Sequence, residues 1–264
     1  IEAIKGEQLG KDDVTDFLAI SFSSTDYVGH QYGPMSVEIE DTYLRLDREL
    51  AELLKQIESV ADNDEVLIFL TADHGVVNVP QYLMDNNMPA GYFKMKEVAE
   101  ELNEKCKNQF GVDSLITNIS NYQIFLNYEQ IEANKLNQIE IENALSSWLL
   151  DYKGVGQSFT RNSLVSTKFT ESIPAIIQRG FNQVRSGDVV FALESGWIMA
   201  GYSTGTTHGS PYQYDPLIWY GQNIKKENTK NITVIPEISA TLALLLNIQA
   251  PSVCTGTPIK ELMK

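Results

Sequence analysis

The sequence predicts an α/β protein: a core of mostly parallel sheet with helices on both faces, plus an inserted α+β subdomain. Three observations predict it. Over residues 16–70, short apolar runs flank an amphipathic helical pattern, the signature of a βαβ unit. Between about residues 92 and 185 the texture changes, with helical patterns, a short strand and no histidine. After residue 185, apolar runs of strand length return. The expected division is therefore a core from 1–91 and 186–264, with 92–185 inserted. A chain of 264 residues is long enough to bury such a core and carry an insertion.

The elements follow in order. Residues 16–22 (Asp-Phe-Leu-Ala-Ile-Ser-Phe) are short and continuously apolar, as a buried parallel strand requires. The polar, glycine-containing stretch 23–34 reads as a loop. Residues 36–59 read as a long amphipathic helix, with Val37, Leu46, Leu50, Leu53, Leu54 and Ile57 on one stripe. Pro34 and Ser36 suit its start. Residues 65–70 form a second buried strand that runs into Thr71-Ala72-Asp73-His74-Gly75. Helices are expected at 96–110 and 139–148 and a strand at 123–126. Further strands are expected at 188–193 and 217–220, and a helix at 237–246 that packs back on the sheet. In open α/β sheets ligands gather beyond the carboxyl ends of strands. The segments after 16–22 and 65–70 are thus where a site is expected.

Charge narrows the function. The formal net charge is −15, which argues against nucleic acid or an anionic membrane surface as partner. An acidic protein that handled phosphate esters would need local positive charge, which divalent metals can supply. No apolar run is long enough to span a bilayer. No signal peptide opens the chain, and it begins without Met, so it reads as part of a longer protein. Cys106 and Cys254 suit either a disulfide or two free buried thiols.

The three histidines carry the chemistry. His30 closes Asp26-Tyr27-Val28-Gly29-His30, His74 follows Asp73, and His208 stands in Gly205-Thr206-Thr207-His208-Gly209. Asp26 and His30 can converge on one ion if Gly29 lets the loop turn, and His208 would complete a three-ligand set with an open position. Asp73 and His74 are adjacent, so on an extended chain they diverge; they share an ion only if the chain turns near Gly75. Taken singly, each motif also fits a plainer reading, a polar loop for the first and a capping Asp beside a core His for the second. Lys168, Arg179 and Arg185 read as surface charge rather than phosphate contacts. Ser23, Ser24 and Thr25 read as loop hydrogen-bonding groups rather than nucleophiles. The Asn118 and Asn231 sequons are weak signals.

These motifs together resemble the alkaline phosphatase superfamily. The segments are Ser24 to Pro34 (Ser-Thr-Asp-Tyr-Val-Gly-His-Gln-Tyr-Gly-Pro), Thr71 to Gly75 and Gly205 to Gly209. They are most similar to the PafA-type bacterial alkaline phosphatases, which are related to type I phosphodiesterases/nucleotide pyrophosphatases. Residues 40–47 and Arg185-Ser186-Gly187-Asp188 add to the likeness. The resemblance implies two zinc ions per intact active site, with manganese as the alternative. Asp26, His30 and His208 would hold the ion on the leaving-group side, and Asp73 and His74 the ion on the nucleophile side. It also implies a phosphate-ester small-molecule substrate and a periplasmic or secreted home. The family's hydroxyl nucleophile and one further metal Asp have no counterpart here. This chain thus looks like the carboxyl-terminal half, expected inactive alone and partnered by the missing amino-terminal half. The family's Tyr-Asp-Thr-His-hydrophobic-Pro pattern is shortened here to Tyr214-Asp215-Pro216. A phosphodiesterase or nucleotide pyrophosphatase, a manganese phosphomutase and a non-catalytic metal-binding domain are the rival readings.

Overall fold

The computed structural model describes residues 1–61, 66–201, 205–207, 215–221 and 224–262. The chain divides into two compact units. Unit 1 is Ile1–Phe22, Tyr43–His74 and Asp215–Lys264; unit 2 is Ser23–Thr42 and Gly75–Tyr214.

Unit 1 begins with a short helix α1 (Glu2–Gly6) and takes most of the long helix α3 (Val37–Val60). The sequence pattern gives that helix directly: Leu46, Leu50, Leu53, Leu54 and Ile57 are its half-buried stripe, and the charged residues between them are exposed. Strand β1 (Leu67–Thr71) pairs antiparallel with β8 (Leu217–Gly221), in a register that sets Thr71 opposite Leu217. Helix α10 (Ile235–Leu245) follows, with a proline in its first turn. The Glu237 carboxylate accepts the Val234 N–H at 3.0 Å. The C-terminal segment is strapped back onto this helix, where the buried Thr241 hydroxyl accepts the Ile259 N–H at 2.9 Å.

One expectation fails here. Residues 16–22 form no strand, so the βαβ unit expected over 16–70 is not made. A buried parallel strand needs neighbours along both edges and cover on both faces. Instead Phe17, Leu18 and Ile20 stand 61%, 43% and 49% exposed. The Phe17 ring stacks on Phe69 of β1, centroids 6.5 Å apart. The partner of β1 among the described residues is β8, and it is antiparallel.

Unit 2 holds helix α2 (Ser24–Tyr32), helix α4 (Pro80–Asp85) and a parallel pair, β2 (Gly91–Phe93) with β7 (Trp197–Met199). Gly91 faces Trp197 so closely that a Cβ would stand 2.6 Å from the indole. The larger sheet contains β3 (Ile116–Ser120), β4 (Gln123–Leu126), β5 (Val155–Thr160) and β6 (Val189–Leu193), in the antiparallel order β3-β4-β6-β5. Asn121 and Tyr122 turn β3 into β4 with φ of 49° and 60°, the two-residue hairpin geometry that matches strand twist. Helix α5 (Met95–Phe110) ends on a left-handed Gly111. Helices α6 (Tyr128–Ala133) and α7 (Gln138–Leu149) are each capped by an asparagine, Asn127 and Asn137. Helices α8 (Arg161–Ser166) and α9 (Ser172–Gly180) complete the unit.

The core of unit 2 is apolar and closed to solvent. Leu102, Cys106, Leu115, Ile124, Ile141, Leu145 and Val189 are all fully buried in one cluster. Asp188 is the buried polar knot beside it. Its carboxylate accepts the Leu126 N–H at 2.8 Å and the Tyr128 hydroxyl, and the Arg161 guanidinium lies 3.7 Å away. The α/β class expected from the sequence holds. Cys106 and Cys254 are both free thiols.

Candidate metal centre

Asp26 and His30 lie on a helix, not on a loop. Helix α2 spans Ser24–Tyr32, and a spacing of four residues places both side chains on one helix face. His30 Nε2 comes to 3.3 Å from Asp26 Oδ1. Gly29 supplies no turn; it is a buried helical glycine with open space where a Cβ would go. The turn comes one helix end later, at Gly33, whose φ is 85°. Ser23 to Thr25, read as loop residues, open the helix, and the Ser23 carbonyl accepts the Tyr27 N–H at 3.3 Å.

The orientation of His30 is fixed from behind. Its Nδ1 lies 2.9 Å from the Thr206 carbonyl oxygen. A carbonyl can only accept, so Nδ1 carries the hydrogen and Nε2 is the nitrogen turned toward Asp26. In a neutral ring that arrangement sets a lone pair against a carboxylate. A cation between them, proton or metal, relieves the repulsion. Carboxylate oxygen and imidazole nitrogen are a fitting donor set for zinc, and a His anchored through its other nitrogen is the usual form of such a ligand.

Asp73 and His74 come together in unit 1. The chain bends after β1, and His74 Nε2 reaches 3.6 Å from Asp73 Oδ2. The Asp73 side chain is 90% exposed, so the pair is open to solvent. Sequence reasoning did not assign a role to Asp215 here. The β1–β8 register sets Thr71 opposite Leu217. The residues just after β1 and just before β8 therefore lie at one end of the ladder. Asp215 feels both charges: burial raises its carboxyl pKa, His74 lowers it and Asp73 raises it. The available signal was the apolar run 217–220, which marks a strand beginning beside Asp215.

His208 and Tyr214 lie outside the described residues. Among the described residues, no group of three or more His, Cys, Asp or Glu side chains is placed to hold one metal ion. Among the described residues the candidate ligands form two separate carboxylate–imidazole pairs, Asp26–His30 within unit 2 and Asp73–His74 within unit 1. No described helix is long and apolar enough to cross a membrane.

Comparison with known proteins gives this geometry a family. The family model of type I phosphodiesterase/nucleotide pyrophosphatase matches residues 2–214. A Myroides odoratus protein named calcium-transporting ATPase is 40% identical over 265 residues, which is 98% of this chain and 48% of that protein. Alkaline phosphatase PafA of Elizabethkingia meningoseptica is 35% identical over 264 residues, covering 99% of this chain and 48% of its own. The crystal structure of wild-type PafA superposes with a TM-score of 0.90 at 34% identity, covering 99% of this chain and 50% of that one. The chain thus spans about half the length of the curated relatives it matches, and its small sheets suit part of an alkaline phosphatase-like core. By sequence and by fold, the chain belongs to the type I phosphodiesterase/nucleotide pyrophosphatase family, among its alkaline phosphatase relatives.

Proposed function

We propose that residues 1–264 are part of a two-zinc phosphate-ester hydrolase, a phosphomonoesterase of the alkaline phosphatase type. The observation that carries this reading is His30, anchored through Nδ1 and turned through Nε2 onto Asp26. Asp26 and His30, with His208, would hold one zinc, and Asp73 with His74 the second. Metal ions there supply Lewis-acid stabilisation of charge on a phosphoryl oxygen. The chain's own part is to present two carboxylates and to hold His30 in one tautomer. Asp215 adds a further negative charge beside Asp73 and His74. Residues 92–185 serve as the inserted subdomain.

The hydroxyl nucleophile has no candidate in the motifs of this chain, so the amino-terminal half of the longer protein is its proposed source and partner. The 264 residues alone are then inactive. As in the family, the setting is periplasmic or secreted. Assay of the purified chain with zinc and an aryl phosphate monoester tests this: no turnover is expected, whereas robust zinc-dependent turnover would overturn it. In the full-length protein, Asp73→Asn is expected to reduce monoester hydrolysis by at least about 10–100-fold, the scale on which groups that support a metal change affinity or activity. Undiminished hydrolysis would count against Asp73. The family description also favours a second reading, phosphodiesterase activity. Faster hydrolysis of a diester than of the matching monoester by the full-length protein would select it.

A further inference from the structure

Residues Gly205, Thr206 and Thr207 are buried, Thr206 completely. Nothing in the donor set explains this, since none of the three is a metal-ligand type in the motif. The explanation lies in how the strip is stitched. Thr206 N–H donates to the His30 carbonyl at 3.1 Å, and the Thr206 carbonyl accepts from His30 Nδ1 at 2.9 Å. One residue is therefore bonded to both the backbone and the ring of His30. On its other side the Thr206 hydroxyl donates to the Val77 carbonyl at 2.5 Å, and the Val77 N–H donates to the Thr207 carbonyl at 3.3 Å. The strip runs between the last turn of α2 and Val77, all within unit 2. Gly205 lies against the His30 carbonyl so closely that any Cβ there would collide with it. Only glycine admits this approach.

We propose that Thr206 is the positioning residue of the Asp26–His30 pair. Its carbonyl sets the ring of His30 as the Nδ1–H tautomer, and its buried hydroxyl, bonded to Val77, sets that carbonyl. The other ring nitrogen's hydrogen bond decides which imidazole nitrogen is left to act. A buried hydrogen bond that fixes the backbone at this point therefore fixes the ligand. The link to metal rests on the function proposed above; the tautomer does not.

The test is nitrogen-15 NMR of the metal-free chain at mildly alkaline pH, reading the ring nitrogens of His30 through long-range proton couplings. Calorimetric zinc titration of the same samples follows. Wild type is expected to show hydrogen on Nδ1, held by the Thr206 carbonyl. Thr206→Val keeps the shape and removes the hydroxyl; it is expected to mix the tautomers and weaken zinc binding by roughly 10–100-fold. Gly205→Ala is expected to do the same more severely. Thr206→Ser, which restores the hydroxyl, is expected to recover the wild-type pattern and guards against a folding artefact. A wild-type His30 with no hydrogen on Nδ1 would overturn the proposal. So would Thr206→Val with tautomer and zinc affinity unchanged. The expected tautomer in a wild-type chain that binds no zinc would sustain the positioning role and overturn the metal reading alone.

Discussion

The two units use apolar residues in opposite ways. In unit 2 the helices α5 and α7 close over the β3-β4-β6-β5 sheet, and Leu102, Ile141 and Leu145 lose all contact with solvent. In unit 1 the two-stranded β1–β8 sheet leaves Leu67 and Leu70 40% exposed, Ile218 53% and Tyr220 56%. Phe17, Leu18 and Ile20 beside it are as open. Apolar sequences thus give a finished core in one place and a partial one in the other. The difference teaches that an apolar run reports a strand's intended environment, and the environment has to be supplied by other strands. Relatives about twice as long as this chain have the polypeptide with which to supply it.

The contrast can be broken by mutation. Leu145→Ala, deep in the finished core, is expected to lower the free energy of unfolding by about 2–5 kcal/mol, read from denaturant melts. Leu70→Ala in the partial core should change it by well under that, about 1 kcal/mol or less. Equal losses would mean that the two cores are equally complete. Next in size is Asp188→Asn. It weakens the carboxylate's bonds to Leu126 and Tyr128 and its pairing with Arg161, at an expected cost of roughly 1–3 kcal/mol.

Smaller effects sharpen it. Glu142 is buried, held by Gln138 at 2.7 Å and by the Asn162 N–H at 3.2 Å. Burial raises its carboxyl pKa above the ordinary value. A carboxyl with a raised folded-state pKa contributes stability that is full below its unfolded pKa and is lost as pH rises through the folded one. Wild type should therefore lose stability relative to Glu142→Gln as pH rises from the acidic side of the carboxylate range. A difference in melting temperature that is flat with pH would contradict this. The cysteines give the smallest probe. Burial pushes the Cys106 thiol up to about 11, and it is closed off in unit 2, while Cys254 is half-buried in unit 1. An aromatic disulfide reagent near pH 8 should label Cys254 quickly and Cys106 only on unfolding, since the thiolate is the reactive form.

Much of this was legible in the chain. The patterns at 36–59, 65–70, 96–110, 139–148, 188–193 and 217–220 each correspond to a helix or strand of the structure, because each element's own residues decide it. Residues 16–22 misled because a continuous apolar run meets the local requirement of a buried strand and says nothing of its partners. Residues 23–34 misled in the other direction. Their serines, threonine and glycines look like a loop, yet Ser24, Thr25 and Asp26 make a good first helical turn, and Gly29 is tolerated inside. The histidine motifs were visible, and the structure brings Asp26 to His30 and Asp73 to His74. The role of Thr206 was not visible, because it depends on a backbone carbonyl meeting a ring 176 residues away in sequence. Asp215 was visible only as part of the shortened Tyr214-Asp215-Pro216 pattern; the antiparallel register is what sets it at the end of β1.

The central claim is that this chain's own side chains hold zinc, and calorimetric zinc titration of the purified chain tests it most directly. Zinc binding in wild type, with the Asp26–His30 site strongly weakened in Asp26→Asn and lost in His30→Ala while any uptake by Asp73 and His74 persists, is the result expected. A wild-type chain that takes up no zinc, or variants that bind it undiminished, would contradict the account.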